Sequence, residues 1–332
     1  MTERGRLPRV KRVTIEDVAR EAGVGRQTVS RALRDLPEIA PDTRERVLAA
    51  ATRLGYRPSA LAKGMRTQRS DVIALIVSDI ANPFYPAVAR GVYDAAEAAG
   101  CSVVLYNTDA DPGRERDAVE DALARSARGV VGFFYGMPDD VLADYARSVP
   151  LVVADRELPA ETAASVCNDF ATGTAAAVEL LARRPDACLG MLDSSVGVAV
   201  DERRLAFVTA CAALGFGDVS ARIVQGPPTI PGGTEAAGQL LSEWPEVNGI
   251  FAFNDLMGIG AVQAVLARGG AVPRDCAVVG FDDLEMSAYL NPPLSTVRID
   301  KYDHGRALVR ALLADTADRI SLPVSLITRA TA

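Results

Sequence analysis

Two rhythms of apolar residues divide this chain. In TIEDVAREAGVGRQTVSRAL, Thr14 to Leu33, the apolar positions Ile15, Val18, Val24, Val29 and Leu33 punctuate a polar stretch. They predict helices over Ile15–Glu21 and Arg26–Leu33, broken at a glycine. Thr14 is placed to cap the first helix, and Asp17 at the third helical position makes an acidic variant of the capping box. Ala19 is small where the helices would cross, Gly23 suits a turn that needs positive φ, and Val29 plugs the second helix onto the first. A third helix follows Pro41, with Val47, Leu48, Ala51 and Leu54 as its stripe and Gly55 as its stop.

From Val72 the rhythm changes. Apolar runs fall at Val72–Val77, Val103–Tyr106, Val130–Phe134 and Leu151–Ala154, and again at Cys188–Leu192, Ile250–Phe253 and Ala277–Phe281. Alanine-rich helical patterns separate them at Tyr85–Ala99, Ala118–Ala127, Thr172–Ala182, Arg204–Ala213, Gly233–Ser242 and Met257–Arg268. Short apolar strands between helices predict parallel sheets with right-handed crossovers, in more units than one sheet holds comfortably. The expected fold is an all-α helix-turn-helix domain followed by an α/β body of two lobes. A helix-turn-helix lays its second helix in the DNA major groove, and ligands of parallel sheets sit beyond the strands' C-terminal ends.

The net charge of −7 argues against a DNA partner until it is divided along the chain. Residues 1–70 carry 16 basic and 8 acidic side chains, and the remainder carries 20 and 35. A basic head on an acidic body is the asymmetry expected when one end meets phosphate. The five cysteines form no CxxC pair and read as buried thiols in a reducing cytoplasm. The basic N-terminus lacks the apolar core of a signal peptide, and no run of 18 apolar residues predicts a membrane span. A cytoplasmic protein without cofactor or metal is expected.

The order of motifs resembles the lactose/galactose-repressor family of bacterial transcription regulators. The likeness rests on VTIEDVAREAGVGRQTVSRAL, LGYRP, VSDIANPFY, ADR at Ala154–Arg156, FNDLMGIGA at Phe253–Ala261, VVGFDD at Val278–Asp283 and NPPLSTVRID at Asn291–Asp300. It implies a DNA-binding head over 13–57, a hinge helix and linker over 58–70, and a body over 71–332 like a periplasmic sugar-binding protein. It divides the body into one lobe of 71–168 plus 299–320 and another of 169–298 plus 321–332. It also implies a homodimer, held by the helix at Tyr85–Ala99, on double-stranded operator DNA under control of a small-molecule effector.

Recognition helices read bases with their first turns, which places Arg26, Gln27 and Arg31 at base edges. Thr14, Thr28 and Ser30 carry hydroxyls suited to phosphate or to capping, and Tyr56 resembles the family's backbone contact beside the hinge. In the hinge, Ser59 stands where the family usually has Asn, and Met65 stands where it has the Leu that wedges open a minor-groove step. For the effector, the resemblance implies Asp79, Asn82 and Phe84 from the first lobe, Asp155 near the lobe junction, and Arg203, Asn254, Asp255 and Asp282 from the second. Phe133, Phe134 and Tyr135 end the third strand, and Phe134 is the ring assigned to the ligand. Asn82 and Asp255 have a plainer reading as helix caps. Ile299 and Phe170 replace amides usual in the family and imply a more apolar pocket. The residues leave open a sugar, a phosphorylated or modified sugar, a nucleoside or a less polar ligand.

An enzyme is disfavoured. The single histidine, His304, has no nucleophile in pattern, no zinc-ligand spacing and no phosphate loop of the GxxxxGK type. A solute-binding protein for import would fit the body but not the basic head. No leucine heptad follows Leu313, so a dimer is expected in place of a tail-assembled tetramer.

Overall fold

The computed structural model describes residues 13–33, 36–56, 70–159, 162–184, 186–194, 202–314 and 316–332. At the N-terminus, Thr14 starts α1 (Ile15–Ala22) with a capping box: its Oγ1 accepts from the Asp17 amide at 3.3 Å, and Asp17 Oδ2 accepts from the Thr14 amide at 2.9 Å. Gly23 ends α1 at φ 66°, and the Val24 amide bonds back to the Ala19 carbonyl. That left-handed residue lets the chain turn at once into α2 (Arg26–Ala32). Gly55 ends α3 (Pro41–Leu54) in the same way, also at φ 66°. Val18, Val29, Val47 and Ala50 are fully buried where the three helices meet. The hinge residues Ser59 and Met65 lie outside the described residues.

Asp71–Ala332 forms a compact unit of its own, built on two six-stranded sheets. The first contains β1 (Val72–Val77), β2 (Ser102–Asn107), β3 (Gly129–Gly132), β4 (Leu151–Ala154), β5 (Ala164–Asn168) and β11 (Arg319–Leu322), in the order β11-β5-β4-β3-β1-β2. All its pairings are parallel. The second contains β6 (Leu189–Ser194), β7 (Ile223–Gly226), β8 (Gly249–Ala252), β9 (Ala277–Asp282), β10 (Ser295–Ile299) and β12 (Val324–Ile327), in the order β12-β10-β9-β8-β6-β7. Only β12 runs antiparallel to its neighbour. The helices are α4 (Phe84–Ala98), α5 (Pro112–Ala124), α6 (Asp139–Ala146), α7 (Phe170–Ala182), α8 (Glu202–Ala213), α9 (Ile230–Glu243), α10 (Asp255–Ala267) and α11 (Lys301–Ala314).

The chain passes between sheets three times, at Asp169, Asp300 and Pro323. The last two crossings fall one to two residues beyond the sequence expectation, because β10 continues through Ile299 and β11 through Leu322. Proline at 323 has no N–H to give a ladder, so the strand ends there and resumes in the other sheet.

Candidate functional site

A cavity of about 220 Å³ lies where the C-terminal ends of both sheets converge. Ser78 and Asp79 follow β1, Asp109 and Ala110 follow β2, Tyr135 follows β3 and Asp155 follows β4. From the second sheet come Ser194 at the end of β6, Thr229 after β7, Phe253 and Asn254 after β8, and Asp282 at the end of β9. Helices α4 and α8 add Phe84, Tyr85 and Arg203. Four lining residues other than glycine hold left-handed backbone: Asp109 at φ 52°, Ala110 at 54°, Asp155 at 52° and Asp282 at 109°. Strained backbone clusters where a side chain must be aimed.

Each wall is held by identifiable contacts. The Arg203 guanidinium lies 4.3 Å from the Phe170 ring centre, 4.2 Å from Phe253 and 5.0 Å from Phe281. Stacking of this kind keeps a cation flat and desolvated beside the ligand space. Asp282 is buried, and burial pushes its carboxyl up to about 8 against the pull of Arg203. Asn254 caps α10: its Oδ1 accepts from the Met257 amide at 2.8 Å, and its Nδ2 donates to the Pro228 carbonyl at 3.3 Å. Asn82 lines the cavity, and its Oδ1 accepts from the Phe84 amide at 3.0 Å across Pro83, which is the N-cap residue of α4. The Tyr85 hydroxyl accepts from Ser78 at 2.5 Å, and burial raises it to about 12.

The turn that carries Tyr135 is fastened from behind. Fully buried Glu115 accepts from the amides of Tyr135, Gly136 and Met137 at 2.9, 3.0 and 2.9 Å. Arg156 donates to the carbonyls of Phe134 and Met137 at 2.8 and 2.7 Å.

The other candidate surface is α2. Arg26, Gln27 and Arg31 are exposed along it, while Thr28 and Ser30 are half-buried. Val29 and Ala32 turn inward and fasten the helix to the small core. Arg26 lies 3.5 Å from Glu16, an exposed and therefore weak pairing that leaves the guanidinium accessible. Thr14 spends its side chain on the cap, and Tyr56 packs against the three-helix core.

Comparison with known proteins agrees with this geometry. Residues 14–59 match the bacterial regulatory proteins of the lacI family, and residues 183–332 match the periplasmic binding protein-like domain. The transcriptional regulator GalS of Salmonella typhimurium is 34% identical over 288 residues, covering 86% of this chain and 85% of that one. The chain belongs to the lacI family. It is a DNA-binding transcriptional regulator. Among solved structures, a Lac repressor dimer bound to operator and the anti-inducer ONPF superposes with a TM-score of 0.86 at 27% identity, covering 97% of this chain and 99% of that one. A CelR–cellobiose complex gives a TM-score of 0.73 at 30% identity, covering 97% and 100%.

Against the lacI-family expectations, the structure brings Asp79, Asn82, Phe84, Asp155, Arg203, Asn254 and Asp282 to one cavity. Two assignments need correction. Phe134 does not face the cavity: it is 1% exposed and packs in the core between the first sheet and α5. The ring that enters the cavity is the next one, Tyr135. Asp255 is fully buried away from the cavity and accepts from the Leu284 amide at 2.7 Å, Ser287 Oγ at 2.6 Å and Thr296 Oγ1. It is an internal anchor for the turn after β9, while Asn254 takes the cap. Neither Ile299 nor Phe170 lines the cavity; Ile299 lies in the core, and Phe170 acts through the guanidinium stacked on it. The sequence reading passed over Tyr85, Asp109, Thr229 and Phe253.

Proposed function

We propose that this regulator is a repressor whose affinity for operator DNA is controlled by a neutral, polyhydroxylated small molecule held between the two sheets. The composition of the cavity carries the reading. Its described lining offers three carboxylates, Asp79, Asp109 and Asp155, beside the Asp282 carboxyl that burial keeps protonated, against one cation, Arg203. Carboxylates and amides accept from and donate to hydroxyl groups, and the Phe84 and Phe253 rings offer apolar faces. An anionic ligand such as a sugar phosphate would meet a net negative wall, so among the ligands left open by the sequence we favour an uncharged sugar. A solved relative holding cellobiose supports the same class.

The DNA partner is a double-stranded operator read by Arg26, Gln27 and Arg31, with Thr28, Ser30, Thr14 and Tyr56 at the backbone. Ser59 and Met65 complete the hinge in this reading, within the division 13–57, 58–70 and 71–332. We place a homodimer across α4, whose Tyr93 is 48% exposed although its opposite face is buried. A Lac repressor dimer on operator is the solved precedent. A cytoplasmic location and the absence of catalysis follow from this role; all five cysteines are unpaired. No helix among the described residues is long and apolar enough to cross a membrane, and no cluster among them suits a metal.

A thermal-shift panel of cellobiose, lactose, galactose and ribose, each beside a phosphorylated sugar, tests the ligand class. A neutral sugar at a hundredfold excess over its dissociation constant adds about 2.7 kcal/mol of stability. Stabilisation by the phosphates alone would reverse the assignment.

A further inference from the structure

This inference deepens the reading of the cavity as a ligand site. His304 is the sole histidine of the chain and is fully buried in the first turn of α11. Its Nδ1 lies 3.1 Å from Asn168 Nδ2. That same amide nitrogen donates to Asp155 Oδ1 at 2.8 Å, and the Asn168 backbone amide donates to Oδ1 as well, at 3.0 Å. Asp155 stands at the cavity wall with left-handed backbone, while Asn168 is 3% exposed.

A carboxylate only accepts, so Asn168 has to turn its NH2 group, and not its oxygen, toward Asp155. The two hydrogens of that group then serve Asp155 and His304 together. It follows that Nδ1 of His304 is the bare ring nitrogen and Nε2 carries the proton. The orientation has a cost visible in the structure: Asn168 Oδ1 and His304 Nε2 are both buried without a hydrogen-bond partner among the described residues. The ring meets Phe133 edge-on, with centres 5.6 Å apart.

We propose that Asn168 and His304 are positioning residues for the cavity carboxylate Asp155. The imidazole Nδ1 holds the Asn168 amide in the one orientation that keeps Asp155 Oδ1 engaged, which leaves the other carboxylate oxygen to the ligand. Asn168 precedes the first crossing between sheets and His304 follows the second, so the relay fastens the ligand-facing turn after β4 to α11.

Labelling the full chain with 15N-histidine reports a single imidazole, which makes the test direct. The wild type should show Nε2 protonated and Nδ1 bare. Asp155→Ala should move the Nδ1 resonance although Asp155 does not touch the ring. A proton on Nδ1, or an Nδ1 resonance unmoved in folded Asp155→Ala, would overturn the proposal. In parallel, the sugar that stabilises the wild type should bind about tenfold more weakly to Asn168→Ala and to His304→Leu, the loss expected for one hydrogen bond's alignment. Lower melting temperatures with unchanged sugar affinity would mean a purely structural role and would also overturn it. If no sugar stabilises the wild type, the ligand reading fails, and the resonance test alone decides the relay.

Discussion

Gly91 and Gly305 bring the backbones of α4 and α11 into direct contact. A Cβ on Gly91 would land on the Tyr302 carbonyl, and one on Gly305 would land on the Val88 carbonyl. In a helix interior an alanine normally stabilises relative to glycine by roughly 1 kcal/mol. Here the sign should invert. Gly305→Ala should destabilise by about 1–3 kcal/mol, since overpacking forces the two helices apart. Thermal unfolding followed by circular dichroism checks this, at roughly 2–4 °C per kcal/mol for a unit of this size. A raised midpoint would mean that the helices separate freely.

Arg203→Lys should weaken sugar binding by about 1–2 kcal/mol, roughly five- to thirtyfold, while leaving ligand-free operator binding unchanged. A lysine keeps the charge but loses the flat surface that lies 4.2 Å from Phe253 and 4.3 Å from Phe170. Isothermal titration calorimetry with the stabilising sugar reads the change. Wild-type affinity in the variant would remove Arg203 from the ligand wall.

Asp282 predicts a pH dependence of stability. Burial raises its carboxyl from an ordinary 3.8 to about 8, so the folded chain holds a proton there that the unfolded chain has released. Stability from this group is fully present below about pH 4 and is lost as pH rises toward 8. Asp282→Asn should therefore flatten the decline in unfolding free energy between pH 6 and 8 in urea titrations. Equal slopes in variant and wild type would contradict the assignment.

The legible parts of this chain were those decided locally. Thr14 with Asp17, and Gly23 and Gly55, announce helix ends because caps and left-handed turns depend on a few neighbouring residues. Strands such as β1 and β4, buried along nearly their whole length, stand out as unbroken apolar runs. Short mixed strands such as β7 and β11 do not, since IVQG and RISL carry polar residues at a sheet edge. In the site, Asp79, Asp155 and Asp282 at strand ends were readable and so was Phe84, whereas Asp109 and the choice among the three rings after β3 were not. Phe133, Phe134 and Tyr135 differ by single steps past the end of β3, and each step turns the side chain toward a different environment. Glu115 and Arg156 together grip the turn that sets which ring enters the cavity, and both lie elsewhere in the chain. Asp255 was misread because it follows a cavity residue, although the first turn of α10 rotates it toward β9 and β10.

Gln27→Ala should cost about 1–3 kcal/mol of operator affinity and relax preference at one base pair. Arg53→Ala, whose side chain pairs with Glu21 at 3.2 Å on the exposed surface, should change affinity far less and without altering sequence preference. Binding to a set of single-base operator variants separates the two. A Gln27→Ala protein with the wild-type pattern of preferences would take base reading away from this position.

A ligand-controlled repressor requires coupling between the cavity and DNA binding. Fluorescence anisotropy of the full chain on a duplex from its own upstream region, against a random duplex, with and without the stabilising sugar, measures that coupling directly. The prediction is a salt-sensitive preference for the upstream duplex and a ten- to hundredfold change on adding sugar, about 1–3 kcal/mol, which Arg203→Lys diminishes. Equal affinity for both duplexes, or an operator affinity indifferent to a sugar that demonstrably binds, would contradict it.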